Sequence, residues 1–471
     1  MTAPVPAPTS AASIDDSALA ELRASFAGEL IRPGDPAYEE QRRVWNGSID
    51  RRPALVARCT GVADVLAAVR LARDRGLLTA VRSGGHSFPG LSTCDGGLVV
   101  DLRPMRGIRV DPVSRTVRAQ AGTLLGELDR ETQAFGLAAP SGIVTHTGMA
   151  GLTLGGGIGW IMRKHGLSID RLVSVDLVTA GGELLKASET ENADLFWGVR
   201  GGGGNFGIVT EFEFQLVPLG PQVMAGPVFW AMEDAPEVLR FYRDWIAGCS
   251  DEMMTIVVER KAPALPVVPP ELVGKRVIAV VACYSGPVEE GERALAPLKR
   301  FGRPVLDLCK PKPFLTHQAM FDPSFRRGCW YYVRSCDVAS LEDGVIDTIC
   351  EHGLKIESPI TSLALRQMGG AVARVSDADS AFHGRNAGFT FNINGNTETA
   401  EGFEAERQWA RDFWTALEPY HTSVYVNFLM EEGEERVKQA YGAEKWARLK
   451  ALKRKYDPTN LFRVNQNIRP D

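Results

Sequence analysis

The alternation of apolar and polar positions predicts a strand, a helix and a second strand early in the chain. Residues 54–58 form a short apolar run, and apolar residues then recur at helical spacing over 62–72. Gly76 is a typical helix stop. Residues 78–82 form the second apolar run, which leads directly into a glycine pair at 84–85. An α/β unit commonly meets its ligand where a strand ends in this way.

The pattern continues as short strands and one helix up to a boundary near residue 220. Residues 123–134 have helical spacing, and residues 180–182 (AGG) predict a hairpin turn. The further strands predicted in this part are 98–102, 108–110, 116–119, 173–179, 183–186 and 208–216. Pro218 and Gly220 mark the end of this lobe, since both residues interrupt regular structure.

Beyond residue 220 the chain shows longer helical patterns and several alternating strands. Over 389–394 polar residues alternate with apolar ones, which is typical of a half-buried strand with one polar face. Residues 423–429 alternate likewise, and they predict a strand with Tyr425 and Asn427 on one face and Phe428 on the other. We therefore expect an α+β fold of two lobes, in which the second lobe is an antiparallel sheet backed by helices.

Composition and charge narrow the range of functions. The 471 residues carry a formal net charge of −5, which argues against a protein that follows nucleic-acid phosphates. No run of 18 apolar residues is present to span a membrane, and the Pro-, Ala- and Ser-rich residues 1–20 predict a flexible tail. The eight cysteines are scattered without a C-x-x-C pair, which predicts reduced thiols and a cytoplasmic protein. The seven histidines lack metal-ligand spacing, so no metal is expected.

Glycine is concentrated in three segments, at 83–87, 148–159 and 201–207. Because glycine has no Cβ, such segments let backbone N–H groups approach the pyrophosphate of a dinucleotide. The third segment contains a formal G-x-G-x-x-G, but a strand pattern follows at 208–216 where a Rossmann fold has a helix. A nicotinamide enzyme is therefore disfavoured. Tight turns explain the glycines equally well, and His86 taken alone is better explained as a loop residue that bonds a neighbouring carbonyl.

Five ordered segments carry a resemblance to a known family. They are 81–87 (VRSGGHS), 145–160 (THTGMAGLTLGGGIGW), 194–210 (DLFWGVRGGGGNFGIVT), 425–428 (YVNF) and 456–468 (YDPTNLFRVNQNI). In order and spacing they resemble the berberine-bridge-enzyme-like FAD-linked oxidases, whose FAD-binding domain is of the PCMH type and belongs to the vanillyl-alcohol-oxidase fold group. The resemblance extends over residues 45–220 and 420–469 and is loose between them.

The resemblance implies FAD held covalently, by a single bond from His86 to the 8α-methyl carbon of the flavin ring. It places the FAD-binding domain at 45–220, the substrate-binding domain at 221–424, and a C-terminal segment that completes the FAD lobe at 425–471. A neutral imidazole is a competent nucleophile near neutral pH. The residues implied to bind the cofactor are Ser83, Gly84, Gly85, His86, Ser87, Thr147, Gly148, Gly151, Leu152, Gly155, Gly156, Gly159, Val209, Asn427 and Asn465.

Two positions depart from the family pattern. Many relatives form a second flavin bond from a cysteine at the position of Val144, so only one bond is expected here. In alcohol- and phenol-oxidising relatives a tyrosine takes the substrate proton where Phe428 stands. The remaining candidate catalytic residues are Tyr425, which either lines the cavity or packs as an ordinary aromatic, and His383. The polar residues expected to contact the substrate are Arg366, Gln367, Asn392 and Asn394.

These features predict an FAD-dependent oxidase that removes a hydride from a C–H bond beside a hydroxyl or amine of a small organic molecule. Molecular oxygen is the expected electron acceptor and hydrogen peroxide the product. Thr147, at a position where relatives differ in oxygen access, leaves open a dehydrogenase with another acceptor. A flavin-holding protein without catalysis is a further alternative, because the usual tyrosine base is missing.

Overall fold

The computed structural model of the protein describes residues 14–471. Within these residues the chain forms fifteen α-helices, most of them short. They are α1 Asp16–Ser25, α2 Tyr38–Arg42, α3 Val62–Asp74, α4 Leu125–Gln133, α5 Met149–Leu154, α6 Met162–His165, α7 Ala193–Val199, α8 Ala235–Ala247, α9 Val288–Arg300, α10 Phe314–Gln318, α11 Asp343–Gly353, α12 Ala371–Arg374, α13 Phe403–Ala416, α14 Glu434–Tyr441 and α15 Ala443–Tyr456. Helix α3 matches the helix predicted at 62–72.

Helix α1 contradicts part of the predicted N-terminal tail. Residues 1–13 of that prediction lie outside the described residues, but the chain is helical from Asp16 onward. The Asp15 carboxylate accepts a hydrogen bond from the Ala18 backbone N–H at 2.7 Å, which caps the first turn. Leu19 and Leu22 lie on one face and are buried against α3. The tail prediction is therefore wrong for residues 16–20.

The first lobe contains two sheets and a short strand pair. Its strands are β1 Glu29–Ile31, β2 Leu55–Arg58, β3 Thr79–Arg82, β4 Leu98–Asp101, β5 Ile108–Asp111, β6 Thr116–Gln120, β7 Leu137–Ala138, β8 Leu172–Val178, β9 Leu184–Ser188, β10 Ile208–Gln215 and β11 Val217–Pro218. One sheet has the order β1-β2-β4-β3, with β4 parallel to both of its neighbours. The other has the antiparallel order β5-β6-β10-β8-β9, and β7 pairs with β11.

The second lobe is built on one large antiparallel sheet. Its strands are β12 Gln222–Ala231, β13 Met253–Lys261, β14 Arg276–Tyr284, β15 Leu306–Asp307, β16 Lys310–Pro313, β17 Val333–Val338, β18 Ser362–Gln367, β19 Phe389–Asn394 and β20 His421–Ser423. The order is β15-β12-β14-β13-β18-β19-β17-β20, and β16 also pairs with β12. Apolar residues of α8, α9, α11 and α13 bury one face of this sheet. The predicted two-lobed α+β fold is confirmed.

The C-terminal residues return to the first lobe through a buried polar cluster. The Lys453 ammonium donates to the backbone oxygens of Asn205 and Phe462, each at 2.8 Å, and pairs with Asp457 at 2.7 Å. The Asn205 amide oxygen accepts a bond from the Ile468 N–H at 2.9 Å. Buried polar groups satisfied in this way hold two segments in one relative position. The glycine segment 201–207 is thereby fixed against the end of the chain.

The predicted strand at 423–429 is wrong. Strand β20 ends at Ser423, and Val426–Phe428 forms a 3₁₀ turn. The chain leaves the sheet here because its polar side chains bond the first lobe, with Asn427 Nδ2 donating to the Leu152 oxygen at 3.0 Å. As a result Tyr425 and Phe428 do not point to opposite faces. Their rings meet edge to face, with centroids 4.8 Å apart.

Candidate active site

The loop that carries His86 is fixed at its base by a buried ion pair. Arg82, the last residue of β3, donates to the Asp101 carboxylate of β4 at 3.1 Å, and both side chains are fully buried. The Ser83 hydroxyl donates to the Ala121 oxygen at 2.6 Å. Gly85 has a φ of +71°, a left-handed conformation that favours glycine. The chain therefore turns sharply and presents the next side chain, His86, to the interior.

The His86 ring is held in place by aromatic contacts and keeps one nitrogen without a protein partner. It stacks on Trp45 with centroids 3.9 Å apart and planes 18° from parallel. Its Nε2 atom is enclosed and makes no hydrogen bond within the described part of the chain. Burial, together with the nearby His146, lowers the pKa of His86 to about 3. The imidazole is therefore neutral at physiological pH, with a lone pair available on one nitrogen.

Two of the glycine segments touch each other directly. A Cβ added to Gly84 would lie 2.3 Å from the Gly148 nitrogen, so the two backbones can meet only without side chains. Gly151 and Gly204 face open space instead, with no atom within 4 Å of an added Cβ. Both line the same cavity. The glycines thus bring backbone segments together and also leave room beside them.

The segments enclose a cavity of about 330 Å³ that extends from the first lobe to the sheet of the second lobe. Twelve of the predicted cofactor-binding residues line it. They are Ser83, Gly84, Gly85, His86, Ser87, Thr147, Gly148, Gly151, Leu152, Val209, Asn427 and Asn465. The structure therefore brings together most of the residues that the family resemblance implied.

Three predicted cofactor-binding glycines do not line this cavity. Added Cβ atoms would lie 2.2 Å from the Asn427 amide at Gly155, 2.8 Å from the Phe382 ring at Gly156, and 1.5 Å from the Ser141 oxygen at Gly159. Each is close to protein rather than to open space. These glycines admit neighbouring protein segments, and direct cofactor contact stays a prediction for them.

Asn427 and Tyr425 form one hydrogen-bonded unit at the cavity wall. The Tyr425 oxygen accepts bonds from Asn427 Nδ2 at 2.7 Å and from the Gly157 N–H at 2.9 Å. Burial raises the pKa of Tyr425 to about 12. The phenol therefore stays protonated at neutral pH. Tyr425 both lines the cavity and has a satisfied hydroxyl, so the two alternatives considered for it hold together.

The second lobe contributes Arg366 and Asn392 to the cavity. They lie on the same face of β18 and β19, and Arg366 Nη1 donates to Asn392 Oδ1 at 2.7 Å. The Arg366 guanidinium lies 5.0 Å from the centre of the Phe428 ring. The predicted polar face of the strand at 389–394 therefore meets the cavity at this point.

The other predicted substrate and catalytic residues lie elsewhere. Gln367 is on the opposite face of β18, because side chains alternate along a strand, and it accepts a bond from Thr255 at 3.0 Å. Asn394 bonds to Ser362 and does not reach the cavity. His383 lies 3.9 Å from Asp377 beside Gly442, away from the cavity. The structure therefore does not bring Gln367, Asn394 or His383 to this cavity.

Sequence reasoning missed an aromatic cluster beside His86. Trp45 stacks on His86 and also on Tyr331, with centroids 3.8 Å apart in the second contact. Phe88 meets Trp45 edge to face at 5.4 Å. The Trp45 indole N–H donates to the Phe325 oxygen at 2.8 Å. Phe88 follows His86 by two residues and was the only local signal, since the others come from distant parts of the chain.

The residues present fit a large dinucleotide ligand. Of the enclosed polar atoms without partners among the described residues, four belong to cavity-lining side chains: His86 Nε2, the Ser92 hydroxyl, the Tyr441 hydroxyl and Asn465 Oδ1. Buried polar groups are seldom left unpaired, so these atoms indicate a ligand. Apolar walls and exposed glycine backbone between these atoms suit the ring systems and pyrophosphate of FAD.

This site defines an FAD-binding oxidoreductase, and comparison with known proteins gives its family. Residues 53–188 match the model of the FAD binding domain, and residues 424–469 match the berberine and berberine-like model. The chain belongs to the berberine-bridge-enzyme-like family of FAD-linked oxidoreductases. The family predicted from the five sequence segments is therefore confirmed.

Relatives of known name are similar along nearly their whole length. A FAD-linked oxidoreductase of Dictyostelium discoideum is 33% identical over 453 residues, 96% of each chain. The (R)-6-hydroxynicotine oxidase of Paenarthrobacter nicotinovorans is 33% identical over 472 residues, 95% of this chain and 98% of the relative. The crystal structure of 6-hydroxy-D-nicotine oxidase from Arthrobacter nicotinovorans superposes with a TM-score of 0.85 at 32% identity, covering 95% of this chain and 99% of that one.

The sequence predicts neither a membrane-spanning segment nor a metal site. Along residues 14–471 no helix combines the length and apolar character needed to cross a bilayer. Over the same range no three metal-ligating side chains come together. The eight cysteines are all free thiols. A cytoplasmic location stays a prediction from sequence.

Proposed function

We propose that this protein is an oxidase that carries FAD on a single covalent bond to His86 and oxidises a small organic amine. The observation that carries the proposal is the neutral His86 ring, which lines the cavity with an enclosed, unpartnered Nε2. A nucleophile in this state needs no prior loss of a proton before it forms a bond. Stacking on Trp45 fixes the plane of the ring and so the direction of attack.

A single bond is supported by the composition of the cavity wall. None of the eight cysteines lines the cavity. By the family resemblance, Val144 stands where many relatives carry the cysteine of the second attachment. Valine has no nucleophilic atom. His86 is therefore the one histidine or cysteine of the described wall that could bond the ring.

When bound along the wall that carries His86, FAD would supply the acceptor for a hydride from the substrate, and transfer of its two electrons to oxygen would yield hydrogen peroxide. The wall residues decide which substrates can react. Its titratable side chains within the described residues are His86, Arg366, Tyr425 and Tyr441, and no carboxylate is among them. An alcohol must lose its hydroxyl proton to a base as the C–H bond breaks. A neutral amine needs no such base, because its nitrogen lone pair forms the C=N bond directly, so the cavity favours amines.

The first experiment is to purify the protein, record its visible spectrum and precipitate it with acid. We expect a yellow pellet, and a peptide containing His86 heavier by one flavin. A yellow supernatant over a white pellet would retain flavin binding and rule out the bond. Loss of the pellet colour in His86→Ala, with colour kept in His146→Ala, would assign the bond to His86.

Oxygen consumption then separates the oxidase from its alternatives. The purified protein is mixed with a panel of small secondary amines and the matching alcohols in an oxygen electrode cell. Amine-dependent oxygen uptake with peroxide formation is the expected result. Bleaching of the flavin by an amine without oxygen uptake would indicate a dehydrogenase. A flavin that no compound of either class reduces would indicate a flavin-holding protein.

A further inference from the structure

Arg366 differs from every other buried cation of the described chain. Seven lysine or arginine side chains are buried there, and six have a carboxylate partner within 4.0 Å. The six pairs are Arg42 with Asp50, Arg82 with Asp101, Arg163 with Asp251, Arg385 with Asp170, Lys445 with Asp377 and Lys453 with Asp457. Arg366, only 5% exposed, has none. Among the seven buried cations of residues 14–471, only the one at the cavity lacks a carboxylate partner.

No acidic side chain of the described residues lies close enough to pair with Arg366. Its one hydrogen bond within the described residues goes to the neutral Asn392 amide oxygen. Over residues 14–471 no Asp or Glu lines the cavity or a small adjoining pocket that shares Arg366, Phe325 and Ile143 with it. Burial lowers the pKa of Arg366 to about 10, which still leaves the guanidinium charged at neutral pH. A permanent positive charge therefore faces the cavity.

The adjoining pocket holds a second unpaired cation. Arg260 lies in β13, two positions beyond Val258, which pairs with Ala364. Arg260 donates to the Ser324 hydroxyl at 2.8 Å, and no carboxylate of the described residues lies within 4.0 Å of it. It lies on the same sheet face as Arg366. Two cations without acids at one site make a strongly positive pocket. Isolated buried charge is costly unless a counter-ion completes it.

We propose that Arg366 binds a carboxylate of the substrate, and that the substrate is therefore an amine bearing an anionic group. This inference rests on the proposed function for the amine and adds the anion. A planar guanidinium suits a carboxylate because it offers two parallel N–H donors. The apolar body of the substrate packs against Phe325, Phe428 and Ile143, which flank Arg366 in the same wall.

The test uses a ligand pair of the same shape in which a carboxylate is replaced by a neutral amide. Benzoate and benzamide have nearly the same size and shape, and each is titrated into the flavin-containing protein by calorimetry and by perturbation of the visible spectrum. We expect benzoate to bind at least about tenfold more tightly than benzamide. Arg366→Met should abolish that preference, while Arg366→Lys, which keeps the charge, should retain part of it. Equal binding of the two ligands by the wild type would overturn the proposal.

A different counter-ion, the flavin ring when it carries negative charge, is tested with sulfite, which forms an anionic adduct with flavins. If Arg366→Met weakens sulfite binding and leaves the benzoate preference intact, Arg366 serves the ring and the substrate proposal fails. Should Arg366→Met not fold, the wild-type ligand pair still decides. Calorimetry needs no turnover, so a protein that binds benzoate selectively but oxidises no amine would refute the proposed function and leave the carboxylate-binding role of Arg366 standing.

Discussion

The indole of Trp45 stacks on the imidazole of His86, with ring centroids 3.9 Å apart and planes 18° from parallel. Trp45 is only 3% exposed, and its other face stacks on Tyr331 at 3.8 Å. His86 therefore extends a stack that begins in the second lobe. This arrangement fixes the ring plane of the proposed attachment residue, because turning the imidazole would break the contact.

Replacing Trp45 should lower the covalently bound fraction of flavin. In Trp45→Ala the His86 ring loses its support, and we expect a clear fall in acid-stable pellet colour together with a stability loss of about 3–5 kcal/mol. Trp45→Phe keeps a flat ring and should retain most of the attachment. Acid precipitation and thermal unfolding give the two readouts. Trp45→Ala protein with a full covalent load would show that the stack does not orient His86.

Gly155 and Asn427 determine each other's position. A Cβ on Gly155 would lie 2.2 Å from Asn427 Oδ1, so Gly155→Ala must displace an amide that bonds Leu152 and Tyr425. We expect a destabilisation of about 1–3 kcal/mol and weaker flavin retention. Gly220→Ala is the matched control, because the nearest atom to its Cβ would be 4.0 Å away. Equal unfolding temperatures for the two variants would contradict this account.

The spacing of apolar residues correctly predicted the elements whose structure depends only on neighbouring residues in the chain. The strand, helix and strand before His86 follow from apolar spacing, and the polar face of β19 follows from strict alternation. Residues 423–429 alternate just as well but form a 3₁₀ turn. There the decisive contacts are the bonds of Asn427 to Leu152 and of Tyr425 to Gly157, about 270 positions away. The periodicity of a sequence carries no information about contacts between residues so far apart in the chain.

In the candidate site, too, the sequence predicted the contiguous motifs but not the contacts between distant residues. The resemblance located the glycine loops and His86, since these are contiguous motifs. It could not distinguish Gly151, which faces open space, from Gly155, which meets Asn427. Among the strand residues, Arg366 and Gln367 are neighbours in sequence, yet only one faces the cavity. Both faces of β18 are buried, so only the three-dimensional structure shows which of them meets the cavity.

Tyr425→Phe distinguishes a wall residue from a base. The pKa of Tyr425, raised to about 12 by burial, keeps the phenol protonated between pH 6 and 10. We therefore expect flavin reduction by an amine to slow less than about tenfold in Tyr425→Phe, whereas loss of a general base costs about 10²–10⁴. Stability should fall by about 1–3 kcal/mol, because the Gly157 N–H loses its acceptor.

Stopped-flow reduction and thermal unfolding measure the two effects of Tyr425→Phe separately. Tyr441→Phe is the matched control, since that hydroxyl also lines the cavity but has no partner in the described chain. In the flavin-free form it should keep its stability, because no hydrogen bond within the described chain is lost. A rate loss above a hundredfold in Tyr425→Phe, with the spectrum of bound flavin unchanged, would make Tyr425 the proton acceptor.

Asp129 should make stability fall as pH rises. Its carboxyl on α4 is fully buried, and burial raises the pKa to about 7, while Gln318 and Ser141 oppose the shift. A pKa raised in the folded state gives stability that is complete below the ordinary value of 3.8 and is lost as pH rises to about 7. Each tenfold change in proton affinity is worth about 1.4 kcal/mol, so the loss is about 4 kcal/mol at most.

Asp129→Asn removes the ionisation and keeps the shape of the side chain. We expect this variant to gain stability relative to the wild type as pH rises from 5 to 8, with little difference at pH 4. Thermal unfolding across that range is the measurement. Glu237→Gln, on the exposed surface of α8, should follow the wild-type pH dependence. If Asp129→Asn instead runs parallel to the wild type from pH 5 to 8, Asp129 is already ionised in the folded protein at pH 5.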